Sequence, residues 1–473
     1  MKVSKINLVN FRGFEQLEFG LERDVNVIAG ENGIGKSSIL CALTKILSHL
    51  INDFTAGRVE RQEFSNSDIR RSPESPSNWL HASGYFELGE AHFDFGIERS
   101  LLTGEQQEAL IEEIVQLERD LLRVEGGNKR DRDKMARKIR RDITSRKQLI
   151  NGADERSNLI LAGIDVPGIE FDPQAPDRSL QEYKSALKKR PAQPIAVFFS
   201  TKRFFNDSIK KIPKSPPFTL QRAYSNALED LDVSLSDFAH WFHFASKSEA
   251  GSKISERMVE VITEFVPTFS NLRIEESGGL KFLVDKGDVT LPLTELSDGE
   301  RGLIAMVFDL ARRLVLANPD SDDPIAEGEG IILIDEIELH LHPKWQREVL
   351  GRFSSTFKNC QFIVTTHSPQ VIGEVDARSI RFLERDKDSQ KITVWRPTGA
   401  LGLDSNRVLD ELMGVSERNQ RIQKELDHLF ELIDNEKFDE AREAMNPLAQ
   451  LLGSDEPELT RAKALIKFLE GEE

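Results

Sequence analysis

The chain has 473 residues, of which 39% are hydrophobic and 30% are charged, and its formal net charge at pH 7 is −17. The length predicts about two or three domains, and the absence of any apolar run approaching roughly 18 residues excludes a membrane-spanning helix. The acidic balance excludes a surface that is basic throughout, so any contact with nucleic acid has to be local or made by a partner.

The first residues and the cysteines indicate a cytoplasmic protein. Residues 1–9 lead directly into an alternation of apolar residues that is typical of a strand, without the features of a signal peptide. Cys41 and Cys360 are the only cysteines, and each lies within an apolar pattern. We therefore expect two core thiols in a reducing compartment, with neither a disulfide framework nor a zinc site.

The first 50 residues predict two antiparallel strands, then a buried strand and a helix. Apolar residues alternate over residues 3–9 and recur at residues 17–19, on either side of a turn at residues 10–14. The apolar run at residues 25–29 predicts the buried strand, and a helical pattern follows from Ser38. The loop between this strand and the helix carries the first chemical motif.

That loop, residues 30–37 with the sequence GENGIGKS, fits the phosphate-binding pattern G-x-x-x-x-G-K-[ST] at every fixed position. Its glycines allow backbone N–H groups and the helix N-terminus to face an anion. Lys36 is then expected to reach the β- and γ-phosphates of ATP, and the Ser37 hydroxyl is expected to bind Mg²⁺. The predicted nucleotide-binding residues of the loop are Asn32, Gly33, Gly35, Lys36, Ser37 and Ser38.

The sequence Asn-Phe-Arg-Gly-Phe at residues 10–14 resembles the N-terminal motif of the SMC and RecF group of ABC-type ATPases. The resemblance implies that Arg12 lies near the nucleotide phosphates, and the alternative is an exposed arginine on a turn. The same family has a glutamine that senses Mg²⁺ in a later loop. Gln62 is the nearby candidate, but its sequence context is not diagnostic and the role stays unassigned.

A β-hairpin and a helical insertion are predicted next. Alternation over residues 81–97 predicts the hairpin. Apolar residues then follow a 4-3-4-3 spacing over residues 110–124, and this spacing resumes over residues 135–143 after two glycines, which predicts a pair of helices. In the resembling family this position holds a coiled-coil arm, very long in SMC proteins but a stub here, so a role that depends on a long tether is not expected.

The charges of this insertion leave two interpretations open. Its second arm, residues 129–147, is rich in Lys and Arg, which is compatible with a DNA contact. The first arm carries acidic residues between Glu105 and Asp120, so pairing between the arms can neutralise much of that charge. We favour a solvated charged helix, because charge runs on helices usually face solvent.

The chain then returns to the core. Residues 157–194 are mixed and punctuated by prolines, and residues 195–199 predict a buried strand followed by basic residues at 200–203. Such residues can touch phosphate, but we favour an ordinary loop. Residues 238–265 predict a helix, and residues 272–284 predict a hairpin. The core residues expected in the helix are Trp241, Phe242, Met258 and Val261.

Residues 296–302, with the sequence LSDGERG, precede a strongly helical stretch and resemble the signature motif of ABC ATPases. Ser297 and the amides around Gly299 are placed at a helix N-terminus, where they can hold a γ-phosphate. Glu300 follows Ser297 by three residues, which also predicts a capping box. Both interpretations can hold together, and we predict nucleotide contacts for these three residues.

An apolar strand at residues 331–334 ends in two acids, which is the Walker B pattern. A buried strand that delivers carboxylates at its end needs a group to neutralise them, and Mg²⁺ fits that requirement at Asp335. Glu336 is placed to polarise the attacking water as a general base. The predicted catalytic residues are Glu336, Lys36 and His367, and the predicted metal ligands are Ser37 and Asp335.

Histidines stand at two points of this region. His340 and His342 have the spacing of a metal site, but no third ligand is near in sequence, and their pattern resembles the loop of OLD- and RecF-like ATPases, so no metal is assigned. His367 follows another apolar strand and resembles the switch histidine that contacts the γ-phosphate. Two short strands at residues 380–383 and 392–394 are expected to form a closing hairpin.

The tail, residues 406–473, predicts helices with breaks at Asn435, at residues 446–447 and at Gly453. OLD-type ATPases carry a Toprim nuclease after the ATPase core, but the tail is short for such a domain. Asp386 and Asp388 lie in a polar turn and are expected to be solvated.

A core with a stub arm and a short helical tail resembles the PtuA-type ATPases of Septu and retron-linked anti-phage systems, whose partner is the HNH-type nuclease PtuB. The implied fold is α/β, an ABC-type P-loop ATPase head with an antiparallel β lobe, a helical-hairpin insertion and a helical tail, and we expect no nuclease in the chain itself. The expected segments are the first part of the head (1–100), the insertion (101–193), the second part of the head (194–403) and a tail that is the candidate docking site for the partner (404–473).

The resemblance implies a head-to-tail dimer with two ATP molecules at the interface, because each chain has a single phosphate loop and a single signature motif. The favoured function is an ATPase that regulates an HNH nuclease in phage defence, with any DNA contact made through the complex. The alternative is a RecF-like repair ATPase that acts directly on DNA, for which salt-dependent duplex binding would be the sign. An ABC transporter subunit is a third and remote option for the function.

Overall fold

A computed structural model of the chain describes residues 1–71, 77, 79–89, 91–100, 112–120, 139–140, 142–143, 154–164, 176–203, 216–247, 249–276, 281–387, 389–415 and 418–470. The chain divides into two compact units, Met1–Gly402 and Leu403–Glu473. Within the described ranges, no helix combines the length and the apolar character that crossing a membrane requires.

The strands of the described residues all belong to the first unit. In chain order they are β1 (Lys2–Phe11), β2 (Phe14–Gly20), β3 (Val25–Gly30), β4 (Trp79–Leu88), β5 (Ala91–Ser100), β6 (Asp154–Ile164), β7 (Ile195–Phe199), β8 (Phe269–Glu275), β9 (Lys281–Lys286), β10 (Val289–Pro292), β11 (Gly330–Ile334), β12 (Cys360–Thr366), β13 (Ile380–Arg385) and β14 (Ile392–Trp395).

The longer helices surround these strands in the first unit and make up the second unit. They are α1 (Lys36–Phe54), α2 (Pro176–Lys188), α3 (Leu220–Tyr224), α4 (Leu235–Ala245), α5 (Glu249–Phe265), α6 (Asp298–Ala317), α7 (Pro343–Thr356), α8 (Gln420–Asp434), α9 (Phe438–Leu452) and α10 (Pro457–Glu470). Short helical turns lie at Pro324–Glu327, Pro369–Ile372 and Ser405–Arg407.

A six-stranded sheet with the order β14-β13-β3-β12-β11-β7 forms the centre of the first unit. Its strands run parallel except for the edge strand β14. Strands β11 and β12 are buried along their whole length, as expected for the middle of a parallel sheet. The carboxyl ends of β3, β12, β11 and β7 therefore lie side by side at one edge, where ligands usually bind to such sheets.

An antiparallel sheet with the order β2-β1-β4-β5-β6 forms the second layer of strands. The predicted hairpins β1–β2 and β4–β5 are confirmed. Strand β6 was not predicted, because residues 157–194 did not show a strand pattern. It pairs with β5 from Asp154 opposite Ser100 to Ile164 opposite Ala91, so backbone pairing with a neighbour far back in the sequence forms this strand.

The segment before the signature motif differs in one respect from its prediction. Residues 238–265 form two helices, α4 and α5, because polar residues at 246–247 interrupt the apolar pattern. The predicted hairpin is present as β8 and β9, and β10 extends it. The expected core residues are all buried, namely Trp241, Phe242, Met258 and Val261.

The helical insertion is described in part. Residues 112–120 are helical, and Ile114 packs against Ile139 and Ile143 with Leu117 beside them, which confirms the predicted seam at these positions. The rest of the predicted hairpin, including the turn and most of the basic arm at 129–147, lies outside the described residues.

The second unit is a three-helix arrangement around a small apolar core. Leu429 and Ile433 of α8 pack with Leu448 of α9 and Leu459 of α10. Helix α8 ends at Asp434 with Asn435 as its C-cap, and α9 ends at Leu452 with Gly453, whose φ is 97°, as its C-cap, so the predicted breaks at these two residues are confirmed.

The predicted break at residues 446–447 is wrong, because α9 continues through Pro447. Proline removes one backbone hydrogen bond from a helix, but the buried side chains of Met445 and Leu448 lie on either side of it and hold the helix to the core.

The two cysteines differ in their surroundings. Cys360 is buried, and burial raises the pKa of its thiol to about 12, in agreement with a core thiol. Cys41 is only partly buried, so the prediction of a core thiol is wrong there. Its sulfur lies 3.2 Å from Nη2 of Arg12, because this face of α1 meets the polar turn that follows β1.

Candidate functional site

The phosphate loop connects β3 to α1 in a backbone conformation that glycine favours. Gly30 has φ of 144° and Gly35 has φ of 110°. A Cβ atom on Gly30 would lie 2.6 Å from the carbonyl oxygen of Leu383, and one on Gly35 would lie 2.6 Å from the ring of Phe14. Phe14 is the last residue of the Asn-Phe-Arg-Gly-Phe sequence, so this N-terminal motif packs directly against the loop.

The loop presents donors that suit an anion. The Lys36 ammonium is buried and donates to the carbonyl oxygens of Gly30 at 2.7 Å and Glu31 at 2.9 Å. Burial lowers the pKa of Lys36, and the nearby carboxylates oppose this effect. In the described part of the chain, the backbone N–H groups of Asn32, Gly33 and Gly35 donate to no protein acceptor. A cation beside unpaired N–H groups fits a phosphate group.

Two oxygen atoms from distant parts of the chain meet beside the loop. Ser37 Oγ, in the first turn of α1, lies 3.0 Å from Asp335 Oδ1, at the end of β11. The same carboxylate oxygen accepts a hydrogen bond of 2.5 Å from Thr365 Oγ1 of β12. A hydroxyl and a carboxylate at this separation are the hard oxygen ligands that Mg²⁺ prefers, so the residues present fit the ion.

Glu336 follows in a constrained position. Its φ is 48°, a left-handed conformation that non-glycine residues adopt infrequently, and its N–H group donates to Thr365 Oγ1 at 2.8 Å. Its carboxylate makes no hydrogen bond to the described residues. A buried guanidinium, that of Arg203, binds the carbonyl oxygens of Asp335 and Glu336 from the other side. Burial lowers the pKa of Arg203 to about 10, while Glu338, Asp335 and Glu336 oppose this effect.

His367 lies at the end of β12 and is held by a second carboxylate. Its backbone N–H donates to Glu338 Oε1 at 2.7 Å, and its Nδ1 lies 3.0 Å from the same oxygen. The other oxygen of Glu338 accepts from Thr366 Oγ1 at 2.7 Å. The Glu338 side chain is 6% exposed and that of His367 is 46% exposed. The contact favours the tautomer with a proton on Nδ1, which leaves Nε2 for another partner.

Arg12 lies beside the start of α1. Its φ is 49°, its Nε donates to Asp68 Oδ1 at 2.8 Å, and its Nη1 lies 3.3 Å from Ser38 Oγ. Burial alone would raise the pKa of Asp68, but hydrogen bonds from Lys45, Ser65 and Arg12 outweigh it and lower that pKa to about 2. The arginine is therefore anchored next to the phosphate loop, while its contact with phosphates stays a prediction.

The signature segment forms the predicted helix cap. The Ser297 side chain accepts from the N–H of Glu300, and Glu300 Oε2 accepts from the Ser297 N–H at 3.1 Å, which completes a capping box at the start of α6. A Cβ atom on Gly299 would lie 2.2 Å from the carbonyl oxygen of His340. Glycine is thus required here because α6 begins against the chain that follows Glu336. Within the described residues, no hydrogen bond or ion pair joins Ser297 to the phosphate loop of the same chain.

The remaining polar candidates have structural partners. His342 caps α7, since its Nδ1 accepts from the Lys344 N–H at 3.3 Å. The side-chain amide of Gln62 donates to the carbonyl oxygen of Leu228, and its backbone N–H donates to Ser48 Oγ at 2.9 Å.

Three residues of the site escaped the sequence analysis. Thr365 was visible only as a polar residue in an apolar strand, and Glu338 as a third acid close behind the Walker B pair. Arg203 lies in the loop that was predicted after β7, but its contacts were not expected. Its side chain is 2% exposed and lies against the turn at Asp335 and Glu336.

Replacement of Glu338 by alanine is expected to destabilise the fold by about 1–3 kcal/mol, because it leaves the Thr366 hydroxyl and the His367 N–H without their acceptor. Urea denaturation followed by tryptophan fluorescence measures the change. The control is Glu374→Ala, which removes an exposed carboxylate 3.5 Å from Arg347 and should cost less than about 1 kcal/mol. Equal effects of the two substitutions would contradict the assignment of Glu338 as an anchor of His367.

Comparisons with known proteins find relatives among the proteins of retron and Septu systems. The chain is 29% identical to the protein named Retron Ec83 probable ATPase from Escherichia coli, over 99% of this chain and 87% of that protein. It is 37% identical to a Septu protein PtuA from Bacillus mycoides, over 22% of this chain and 14% of that protein. These relatives confirm the predicted resemblance to retron-linked and PtuA-type ATPases.

Among solved structures, an SMC head bound to the C-terminal winged-helix domain of ScpA overlaps 84% of this chain and 98% of its own, with 17% identity and a TM-score of 0.44. The profile of the family described as AAA ATPase domain matches residues 1–372. The chain therefore belongs to the AAA ATPase domain family.

Proposed function

We propose that the chain is a magnesium-dependent ATPase that binds ATP between two protomers and regulates an HNH-type nuclease in phage defence. The single observation that carries the ATPase part is the meeting of Ser37, Asp335 and Thr365 within hydrogen-bond distance, next to the buried Lys36. Asp335 and Thr365 lie at the carboxyl ends of β11 and β12, and Ser37 lies in the first turn of α1. Their chemistry suits a metal-bound triphosphate.

Each residue then has a defined task in hydrolysis. Lys36 and the unpaired N–H groups of the loop bind the phosphates, and Arg12 adds a positive charge at the start of α1. Ser37 and Asp335 would hold Mg²⁺, which supplies charge neutralisation on the phosphate oxygens when bound. Glu336 accepts a proton from the attacking water. His367, held at Nδ1 by Glu338, donates from Nε2–H to the γ-phosphate in its doubly protonated form.

The dimer follows from the position of the signature helix. The N-terminus of α6 carries Ser297, Gly299 and Glu300, and in the described residues no hydrogen bond or ion pair joins them to the phosphate loop of the same chain. A helix N-terminus attracts an anion. A second copy of the chain, placed head to tail, would bring this end to the γ-phosphate and close two ATP sites at once.

The nuclease partner is supported by the relatives and by one surface. A retron ATPase and a PtuA protein are among the curated relatives, and proteins of these systems are the ones that the sequence resembles. In the second unit, Leu451 is 66% exposed and Phe468 is 80% exposed, although both lie on helices that pack around an apolar core. Contiguous exposed apolar area is typical of a surface that binds another protein, so these two side chains are the candidate contacts of the partner.

The Glu336→Gln variant is expected to bind ATP with an affinity within a few-fold of the wild type and to lose turnover by about 10²-fold or more, because it keeps the shape of the side chain but cannot accept a proton. Phosphate release and equilibrium binding of labelled ATP measure the two quantities. Glu436→Gln is a matched control, since Glu436 is an exposed residue of the second unit with φ of 57°. Full turnover by Glu336→Gln would remove Glu336 from the role of base.

ATP should convert the Glu336→Gln protein from monomer to a stable dimer, and adding Ser297→Arg should prevent this while each protomer still binds ATP. The reason is that a long side chain at the start of α6 blocks the approach of the partner's phosphates. Light scattering after size exclusion reports the mass. Ser389→Arg, at an exposed turn, should dimerise normally. A dimer of unchanged stability with Ser297→Arg would refute the shared site.

A double variant, Leu451→Glu with Phe468→Glu, should keep the ATPase rate and lose co-purification of a co-expressed PtuB-like HNH nuclease, because charge replaces apolar contact area. Leu231→Glu, which alters a side chain that is 51% exposed in the first unit, should leave co-purification intact. If the double variant retains the nuclease, or if no HNH protein associates with the wild type, the second unit is not its docking site.

A further inference from the structure

Arg203 is the residue of this site whose purpose the proposed chemistry does not yet explain. It lies just after β7, the strand next to β11, and its side chain is 2% exposed. Nη1 donates to the carbonyl oxygen of Asp335 and Nη2 to that of Glu336. Longer contacts of 3.4 Å reach the carbonyl oxygens of Ser200 and Ile337. Each of these contacts of the guanidinium is therefore to a backbone carbonyl oxygen.

The backbone groups of the turn can be accounted for one by one. The Asp335 N–H donates to the carbonyl oxygen of Phe199 at 2.9 Å, the Glu336 N–H to Thr365 Oγ1 at 2.8 Å, and the Ile337 N–H to the carbonyl oxygen of Thr365 at 3.1 Å. The neighbouring strands therefore satisfy the three donors, and Arg203 contacts the carbonyl oxygens of the same three residues, of which that of Glu336 also accepts from the Leu339 N–H at 2.9 Å.

This pairing matters because the turn is constrained at Glu336. A left-handed glutamate is held only where surrounding contacts fix it, and the fork of a guanidinium can bind successive carbonyl oxygens as a rigid unit. Strand β11 is already paired along its length with β7 and β12, so the sheet does not need Arg203. The segment that does need it is the one that carries Asp335 and Glu336.

The same contacts leave little of Arg203 for binding phosphate. Both terminal nitrogens of the buried guanidinium donate to carbonyl oxygens, so neither is directed at a ligand. Lys202, its neighbour, is exposed and pairs with Asp230 at 2.9 Å, which is the behaviour of an ordinary loop residue. The two basic residues at the end of β7 thus have different tasks.

We propose that Arg203 is a positioning residue of the ATPase site, which fixes the turn so that the Glu336 carboxylate stays aligned with the attacking water. The inference rests on the proposed function. Displacement of a catalytic group by about 1 Å can lower a rate by about 10²-fold without changing substrate binding, so loss of Arg203 should act on kcat.

The test compares Arg203→Ala, Arg203→Lys and the control Lys202→Ala in the full-length protein, with kcat from phosphate release and Kd from binding of labelled ATP. We expect kcat to fall by about 10- to 100-fold for Arg203→Ala and by about 10-fold for Arg203→Lys, with Kd within about threefold of the wild type. Lys202→Ala should match the wild type. Millimolar guanidinium should recover part of the kcat of Arg203→Ala, and equal urea should not.

The outcomes separate this inference from the proposed function. If the wild type does not hydrolyse ATP, both are wrong. If the wild type is active and folded Arg203→Ala or Arg203→Lys keeps its kcat, the positioning role alone is wrong. If kcat and ATP affinity fall together and guanidinium restores nothing, Arg203 has a general structural role and the inference is overturned. Should Arg203→Ala fail to fold, the kcat and Kd of Arg203→Lys decide the question.

Discussion

The arrangement depends on one constraint, which is that the parallel strands of a buried sheet deliver the polar groups of the site at their ends. Strand β11 is apolar until Asp335, β12 has an apolar centre at residues 362–364 before Thr365, Thr366 and His367, and β3 leads into its glycine loop. Because the strands run parallel, these ends share one edge. Segments separated by more than 300 residues in the chain are brought into hydrogen-bond contact there.

The edge also collects negative charge that the protein itself has to balance. Asp335, Glu336 and Glu338 lie within four residues of one another, and two of them are buried. Lys36 and Arg203 are the buried cations beside them, and the hydroxyls of Thr365 and Thr366 donate to the two buried carboxylates. Carboxylates are buried only with such partners. The contacts that balance their charge are therefore also the contacts that hold the proposed catalytic residues in place.

A second link joins this edge to the signature helix. The close approach of Gly299 to the carbonyl oxygen of His340 places the start of α6 against the segment that follows Glu336. In the proposed dimer, the residues that act on one nucleotide and the helix end offered to the other therefore touch within a single chain. A shift of the turn at one site would displace the helix end at the other site through this contact, since packed backbone leaves little room for independent movement.

The sequence by itself determined the elements with a strong local pattern. The spacing of Lys36 and Ser37, the apolar strands that end in Asp335 and His367, and the cap formed by Ser297 and Glu300 were all visible as short runs, and the structure forms them. Local pattern also misled, at Pro447, because the apolar contacts of α9 outweigh one lost hydrogen bond, and at Cys41, because the neighbouring turn is polar.

Only the tertiary structure decided which distant groups become partners. Strand β6 exists through pairing with β5, Glu338 meets His367 across two strand ends, and Arg203 reaches three carbonyl oxygens from another strand. None of these has a signal in a short window of sequence, because backbone carbonyls look alike at every position. Hydrogen bonds to such groups are specified by where the sheet places them, and not by the identity of the residues that carry them.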